Sequence, residues 1–377
     1  MTTRFRELVA AAVVAAVVAT AVAAYTASPH RSGAARASDM LQSLVDSWRS
    51  RARVPAVTAA IGDADGDRWL VASGTPQMRG GGGRVPVQAQ FRIASITKLF
   101  TATVVLQLVE EHRLSLDDAV SRYVDEVPSN GATVRHLLNH TSGIPDYSMT
   151  QELSKQLLDD RQRRWSTSDV YDLVADVEPG FAPGHGYAYS NTNYVILGDV
   201  IEAVTGASWA AEVRRRVLDR LKLDDTYVAG FEPAPRDVVP GYFDGDNDGD
   251  VEDIGAGRPW PALETSEGAA GAIVSTAGDL LTFGRALFGG ALLSDSSLRQ
   301  MVAESPYHPR NSNYGLGVEI LRPGYRTTIW GHGGLLPGYR SVLWYVPAQD
   351  AVVVVLVNDT RANPYDLAEL LMRAVAE

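Results

Sequence analysis

Phe91-Arg92-Ile93-Ala94-Ser95-Ile96-Thr97-Lys98-Leu99-Phe100, followed by Thr101-Ala102-Thr103-Val104-Val105-Leu106-Gln107-Leu108-Val109, decides how this chain is read. A helix is expected from Ile96 to Val109, and it carries no charge between Lys98 and Glu110. A helix apolar all round has no face for water and belongs at the centre of its domain. Lysine is scarce: only Lys98, Lys155 and Lys222 occur, and every other basic residue is Arg. A Lys inside such a helix needs a reason, and the physical reason is a removable proton. Burial lowers the pKa of an ammonium, whereas a guanidinium keeps its charge. Ser95 lies three residues before Lys98, so one helical turn brings amine and hydroxyl together. Ser95 also stands at the helix start, where free N–H groups favour developing negative charge. That is an activated nucleophile with a base in reach. By itself the spacing also fits a Ser N-cap with a snorkelling Lys.

Two further motifs accompany it. Tyr189-Ser190-Asn191 follows the turn Pro183-Gly184-His185-Gly186. A phenol beside a cation can relay protons, and an Asn amide can bind a substrate carbonyl; a loop tyrosine with an Asx turn is the plainer alternative. His332-Gly333-Gly334 ends a strand expected over 327–331, and its glycines would let a substrate backbone approach closely; a simple turn after a strand fits as well. The other histidines lack metal-ligand spacing, and no Gly-x-Ser-x-Gly elbow or phosphate-cradling loop occurs.

Working outward, strands are expected over 54–61 and 69–72 around the turn Asp63-Ala64-Asp65-Gly66-Asp67. Residues 80–83 read as a glycine loop, and 134–221 as mostly helical with a break at 179–186. A helix over 277–288, strands over 341–346 and 351–357, and a closing helix over 366–375 complete the pattern. Strands at both ends with helices between indicate an α+β sheet domain interrupted by a helical part. The 377 residues are 45% hydrophobic, which excludes a disordered or collagen-like chain. The formal net charge of −11 argues against a nucleic-acid partner, which would need a basic footprint. The absence of cysteine excludes disulfides, thiolate metal sites and cysteine nucleophiles.

At the N-terminus, Arg4 and Arg6 precede an uncharged run over 8–24, the pattern of an export signal or, if uncleaved, an anchor. Residues 26–38 read as a polar linker, so 1–37 is set apart from a domain over 38–377. The expected location is secreted or extracytoplasmic, with membrane contact only through 8–24. An intracellular enzyme would need 1–37 to be part of the fold. Asp244, Asp246, Asp248 and Asp250 have the spacing of a calcium loop, but the twelfth position is Gly255 where a bidentate Glu belongs. A solvated acidic turn is the plainer reading.

Ser95-Ile96-Thr97-Lys98, Tyr189-Ser190-Asn191 and His332-Gly333-Gly334 resemble, in order, the three motifs of penicillin-recognising serine hydrolases. The flanks, including Leu137-Leu138-Asn139-His140-Thr141-Ser142-Gly143-Ile144-Pro145, resemble the class C β-lactamase branch and most of all D-alanyl-D-alanine carboxypeptidases of the Streptomyces type. The likeness runs from about Met40 to the C-terminus. It implies a five-stranded antiparallel sheet flanked by helices, with an all-helical lobe at roughly 99–230 and the site between. It implies that Ser95 forms an acyl-enzyme, that Lys98 and Tyr189 share the proton work, and that Asn191 holds the substrate amide. His332, Gly333 and Gly334 would bind substrate, and the N–H groups of Ser95 and Leu335 would form the oxyanion hole. No cofactor is implied; the partner is a small-molecule or peptide substrate, and a monomer is the default.

One departure matters. The carboxypeptidase branch carries His-Thr-Gly where this chain has Gly333. The leading expectation is a D-alanyl-D-alanine carboxypeptidase of cell-wall peptides, whose carboxylate binding would fade above about pH 6.5 if His332 must be charged. The alternatives are an esterase or D-amino-acid amidase of the same family, and a non-catalytic penicillin-binding or peptidoglycan-sensing module.

Overall fold

The computed structural model describes residues 33–376 except 79–82, 126, 128, 245–250, 255–259, 308–311 and 324–326. Among these, the strands in chain order are β1 (Ala56–Gly62), β2 (Arg68–Gly74), β3 (Phe91–Arg92), β4 (Tyr227–Val228), β5 (Tyr242–Phe243), β6 (Glu252–Asp253), β7 (Ile273–Ser275), β8 (Ser312–Tyr314), β9 (Glu319–Leu321), β10 (Ile329–Leu336), β11 (Tyr339–Val346) and β12 (Ala351–Val357). Seven of them form one antiparallel sheet in the order β2-β1-β12-β11-β10-β9-β8. Five strands were expected. The additional edge strands β8 and β9 are three residues each, too short to show an alternating pattern.

β12 explains how the sheet is held. Its run Ala-Val-Val-Val-Val-Leu-Val is buried throughout, as a strand covered on both faces must be. Val352, Val354 and Leu356 face one core, while Val353, Val355 and Val357 face the other. The second core is closed by α1 (Gly33–Ala52), through Leu41, Val45 and Trp48, and by the C-terminal helix through Leu367 and Leu371. α1 begins inside the segment read as a linker; Gly33-Ala34-Ala35-Arg36-Ala37 is rich in the strongest helix former.

The first core is built on α2 (Thr97–Glu110), whose residues 97–108 are all buried. α3 (Thr192–Thr205) and α4 (Pro261–Gly271) pack on it, and α5 (Ala277–Phe288) lies against β12. The closing helix is α6 (Pro364–Ala376). β3, β7 and β4 form a small sheet leading into α2, tied to α4 by the buried ion pair of Arg92 with Glu264 at 2.6 Å. The third motif lies inside β10 rather than after its end: the strand expected over 327–331 runs over Ile329–Leu336. Glycine discourages a strand reading from sequence, but here two glycines are demanded by their neighbours.

Among the described residues no helix is long and apolar enough to cross a membrane. The run 8–24 lies outside them, as do most of the 80–83 loop and three of the four aspartates of the acidic loop, Asp246, Asp248 and Asp250.

Candidate active site

Ser95 is carried by a single 3-10 turn, Ala94–Ile96, that runs straight into α2. Ala94 holds φ at +51°, a left-handed conformation unusual for a residue with a β-carbon. β10 presses on this turn from one side. A β-carbon at Gly334 would overlap the Ile93 carbonyl oxygen and the Ser341 hydroxyl, and would stand 3.0 Å from Ala94 Cβ. Gly334 thus lets the strand approach the Ser95 turn, and Ser341 Oγ donates to the Ile93 carbonyl at 2.8 Å.

Lys98 is fully buried. Its Nζ donates to Ser95 Oγ at 3.1 Å, to Asn191 Oδ1 at 2.7 Å and to the Ala270 carbonyl at 2.9 Å. Three donors and three acceptors satisfy the ammonium. Burial nevertheless pulls its pKa below the ordinary lysine range, against the opposing charges of Glu267, Asp146 and Glu319. Tyr189 completes the triangle: its hydroxyl hydrogen-bonds Ser95, and burial pushes its pKa well above the usual phenol value. Lys98 Nζ lies 5.0 Å from the Tyr189 ring centre. Of the two groups around Ser95, the amine therefore loses its proton more readily.

The loop carrying Tyr189 is held by His140. The Ala188 N–H donates to the His140 carbonyl at 3.1 Å, the Ser190 N–H to His140 Nδ1 at 3.1 Å, and the two rings lie 4.2 Å apart. Asn191, expected to hold the substrate amide, stands beside Lys98. Its Oδ1 faces Lys98, and its amide nitrogen donates to Asp146 Oδ2 at 3.2 Å and Ser148 Oγ at 3.0 Å. Both amide hydrogens have partners within the protein, and Oδ1 is one of the three acceptors around the Lys98 amine.

His332 points to the Ser95 side of β10 but is nearly fully buried. Its Nδ1 stands 2.6 Å from the Gly333 carbonyl and its Nε2 2.8 Å from the Tyr314 hydroxyl. A carbonyl can only accept, so Nδ1 carries the hydrogen and Nε2 accepts from Tyr314. Burial and the Lys98 charge push its pKa down to about 3. The carboxylate binding that would fade above about pH 6.5 is conditional on a charged His332, and burial instead favours the neutral imidazole. Gly333 faces the opposite side, where a β-carbon would overlap the Tyr365 hydroxyl on α6.

Glu319, at the end of β9, was not singled out in the sequence. It accepts from the Gly333 N–H at 3.2 Å and lies 3.8 Å from His332 Nδ1, with its side chain 25% exposed. Burial raises its pKa to about 7. β9 pairs with β10 only as far as Gly331, so the edge of β10 beyond it is open to the cleft. N–H groups along one edge alternate, so Leu335, two residues past Gly333, presents its N–H on that edge beside the Ser95 turn. Glu267 on α4 and Asp146 are the other carboxylates that act on Lys98, and burial raises Glu267 as well. These acidic residues carried no local signal: 146, 267 and 319 meet only in space.

Among the described residues no cluster of three or more His, Cys, Asp or Glu is arranged to hold a metal ion. A family model described as Beta-lactamase matches residues 18–376. Penicillin-binding protein 4 of Amycolatopsis lactamdurans is 30% identical over 302 residues, 78% of this chain and 74% of that protein. Penicillin-binding protein 4* of Bacillus subtilis (strain 168) is 29% identical over 255 residues, 65% of this chain but only 55% of that protein. Among solved structures, a D-stereospecific amidohydrolase from Streptomyces sp. superposes with a TM-score of 0.77 at 33% identity, covering 87% of this chain and 96% of that one. D-amino acid amidase from Ochrobactrum anthropi SV3, complexed with D-phenylalanine, gives 0.80 at 28% identity, covering 92% and 99%. A penicillin-binding protein homologue from Pyrococcus abyssi gives 0.76 at 26% identity, covering 90% and 77%, and is described as octameric, so the default monomer draws no support there.

Proposed function

This chain belongs to the beta-lactamase family, and we propose that within it the protein is an acyl-enzyme serine hydrolase cleaving amide or ester bonds of D-amino-acid derivatives. The observation that carries the chemistry is the 3.1 Å contact between Lys98 Nζ and Ser95 Oγ inside a buried helix. Neutral Lys98 takes the Ser95 proton as Oγ attacks the carbonyl carbon. The N–H groups of Ser95 and Leu335 receive the oxyanion, where positioned donors contribute most to acyl transfer. Tyr189 gives its proton to the leaving nitrogen or oxygen and recovers one from the Lys98 ammonium through the shared network. The leaving group departs and an ester links the acyl group to Ser95. Water then attacks that ester, and the same proton transfers in reverse release the acid and restore Ser95.

The substrate class rests on what surrounds His332. A carboxypeptidase must hold a terminal carboxylate, and among the described residues this site offers no cation for it. His332 is neutral, Gly333 brings no hydroxyl, and Lys98 spends all three donors on the protein. That favours the amidase and esterase alternative over D-alanyl-D-alanine carboxypeptidase, in keeping with the D-amino acid amidase and amidohydrolase similarities. The intact Ser95, Lys98 and Tyr189 constellation speaks against a non-catalytic module.

D-phenylalanine amide, its L enantiomer and a diacyl-L-Lys-D-Ala-D-Ala peptide, each offered to wild type and Ser95→Ala, test this reading. Ammonia released from the D-amide by the wild type alone supports it; D-Ala released with the amide untouched overturns it. Export by residues 1–37 remains part of the proposal, read by mass spectrometry of the mature N-terminus in the source cell.

A further inference from the structure

The open edge of β10 carries a carboxylate where a carboxypeptidase would need a cation. Glu319 caps the Gly333 N–H and lies beside His332, whose ring centre is 6.3 Å from that of Tyr189. Tyr189 is the proton donor to the departing group, so that side receives the leaving part of the substrate. We infer that Glu319 determines leaving-group specificity, making this side of the cleft anionic, so that the enzyme disfavours leaving groups bearing a carboxylate and takes neutral or cationic ones. The inference rests on the proposed hydrolase reading and adds to it the charge of the leaving group.

Three observations support it. The Glu319 side chain keeps a quarter of its surface open while its other oxygen is fixed by Gly333. Among the described residues, the groups that face it are Lys98 from α2, His332 and Tyr314 from the sheet, Tyr187 and Tyr189 from the loop, and Tyr365 from α6. Of these only Lys98 is positive, and its donors are all engaged elsewhere. An arriving carboxylate therefore meets a like charge in a poorly solvated place, whereas an amine or amide N–H meets an acceptor.

The test holds the acyl part constant. D-Phe-D-Ala-NH2, D-Phe-D-Ala and D-Phe-agmatine are compared as substrates for wild type and Glu319→Gln, a variant that keeps an oxygen for the Gly333 N–H. At about pH 8 the wild type should favour the neutral leaving group over the carboxylate by at least about tenfold in kcat/KM, with the cationic one at least equal to the neutral. Glu319→Gln should shrink that ratio severalfold. The wild-type ratio should also narrow as pH falls below about 7, where the carboxylate gains its proton, and that of Glu319→Gln should stay flat. Acylation of Ser95 by benzylpenicillin and by its methyl ester, followed by intact mass, reads the same discrimination without turnover. Equal ratios in wild type and Glu319→Gln overturn the inference. Failure of every dipeptide, with the ester still acylating faster than the free acid, overturns the proposed substrate class but supports the role of Glu319. Acylation by neither overturns both.

Discussion

The hydroxyl of Tyr365, on α6, lies against the α-carbon of Gly333 so closely that a β-carbon there would overlap it, and the next ring atom would be only 2.8 Å away. The pair locks the sheet to the C-terminal helix at the motif itself. Gly333→Thr, which restores the residue usual in the carboxypeptidase branch, should therefore destabilise the fold by about 1–3 kcal/mol through overpacking. Tyr365→Ala in the same chain should recover part of that loss. A double-mutant cycle of thermal unfolding checks it; strictly additive effects would contradict the contact.

Ser95→Ala should reduce hydrolysis by at least about a thousandfold, since nucleophile and base act as a unit. Its melting temperature should change little, because among the described residues the hydroxyl hydrogen-bonds just Lys98 and Tyr189. Steady-state rates and a thermal melt on one preparation separate lost chemistry from lost fold.

As the proposed base, Lys98 should set the pH dependence. Burial lowers its pKa, so the neutral, proton-accepting form appears below the usual lysine range. kcat/KM should rise with pH and level off well below about 10.4, the value of an unperturbed lysine. A limb at that value would remove Lys98 as the base. Lys98→Met should abolish activity and also destabilise by about 1–3 kcal/mol, since it leaves Asn191 Oδ1 and the Ala270 carbonyl without their donor.

His332 should remain neutral, with its hydrogen on Nδ1, across the whole range from about pH 5 to 8. An NMR titration of its ring nitrogens checks this; an inflection near about 6.5 would restore the charged form. The sign for stability follows. With its folded pKa pushed down to about 3, the unfolded chain binds the proton first, so this group lowers stability as pH falls from about 6.5. Tyr314→Phe removes the hydrogen bond to Nε2 and should cost about 1–3 kcal/mol.

Glu264→Ala should cost about 3–5 kcal/mol, because Arg92 and Glu264 are a buried pair with side chains only 7% and 6% exposed. Glu264 also accepts from the Trp260 N–H at 3.0 Å. The loss loosens the strand leading into Ser95, so denaturant unfolding and kcat should fall together. Arg92→Met with Glu264→Leu should regain stability, as an apolar pair of similar volume avoids desolvating charge.

The helix of Ser95 and Lys98 was legible because i,i+3 spacing is local and because an uncharged run of that length has one home in a soluble domain. The strands of β1, β11 and β12 were legible from apolar runs between turns. The edge strands β8 and β9 were not, being three residues each, and β10 was cut short because its glycines hide a strand whose neighbours require them. Asn191 was found but its partners were not, since nothing local announces that Asp146 and Ser148 accept from its amide.

The sequence by itself therefore determined the class of fold and singled out Ser95, Lys98 and Tyr189, which the structure brings into contact; the first pair follows from short-range spacing, Tyr189 and the fold from resemblance. Only the tertiary structure decided the charge of the cleft. Burial in a low-dielectric site neutralises His332, and chain segments far apart in sequence bring Asp146, Glu267 and Glu319 around Lys98. Protonation depends on what surrounds a group in space, and no local pattern of residues contains that information.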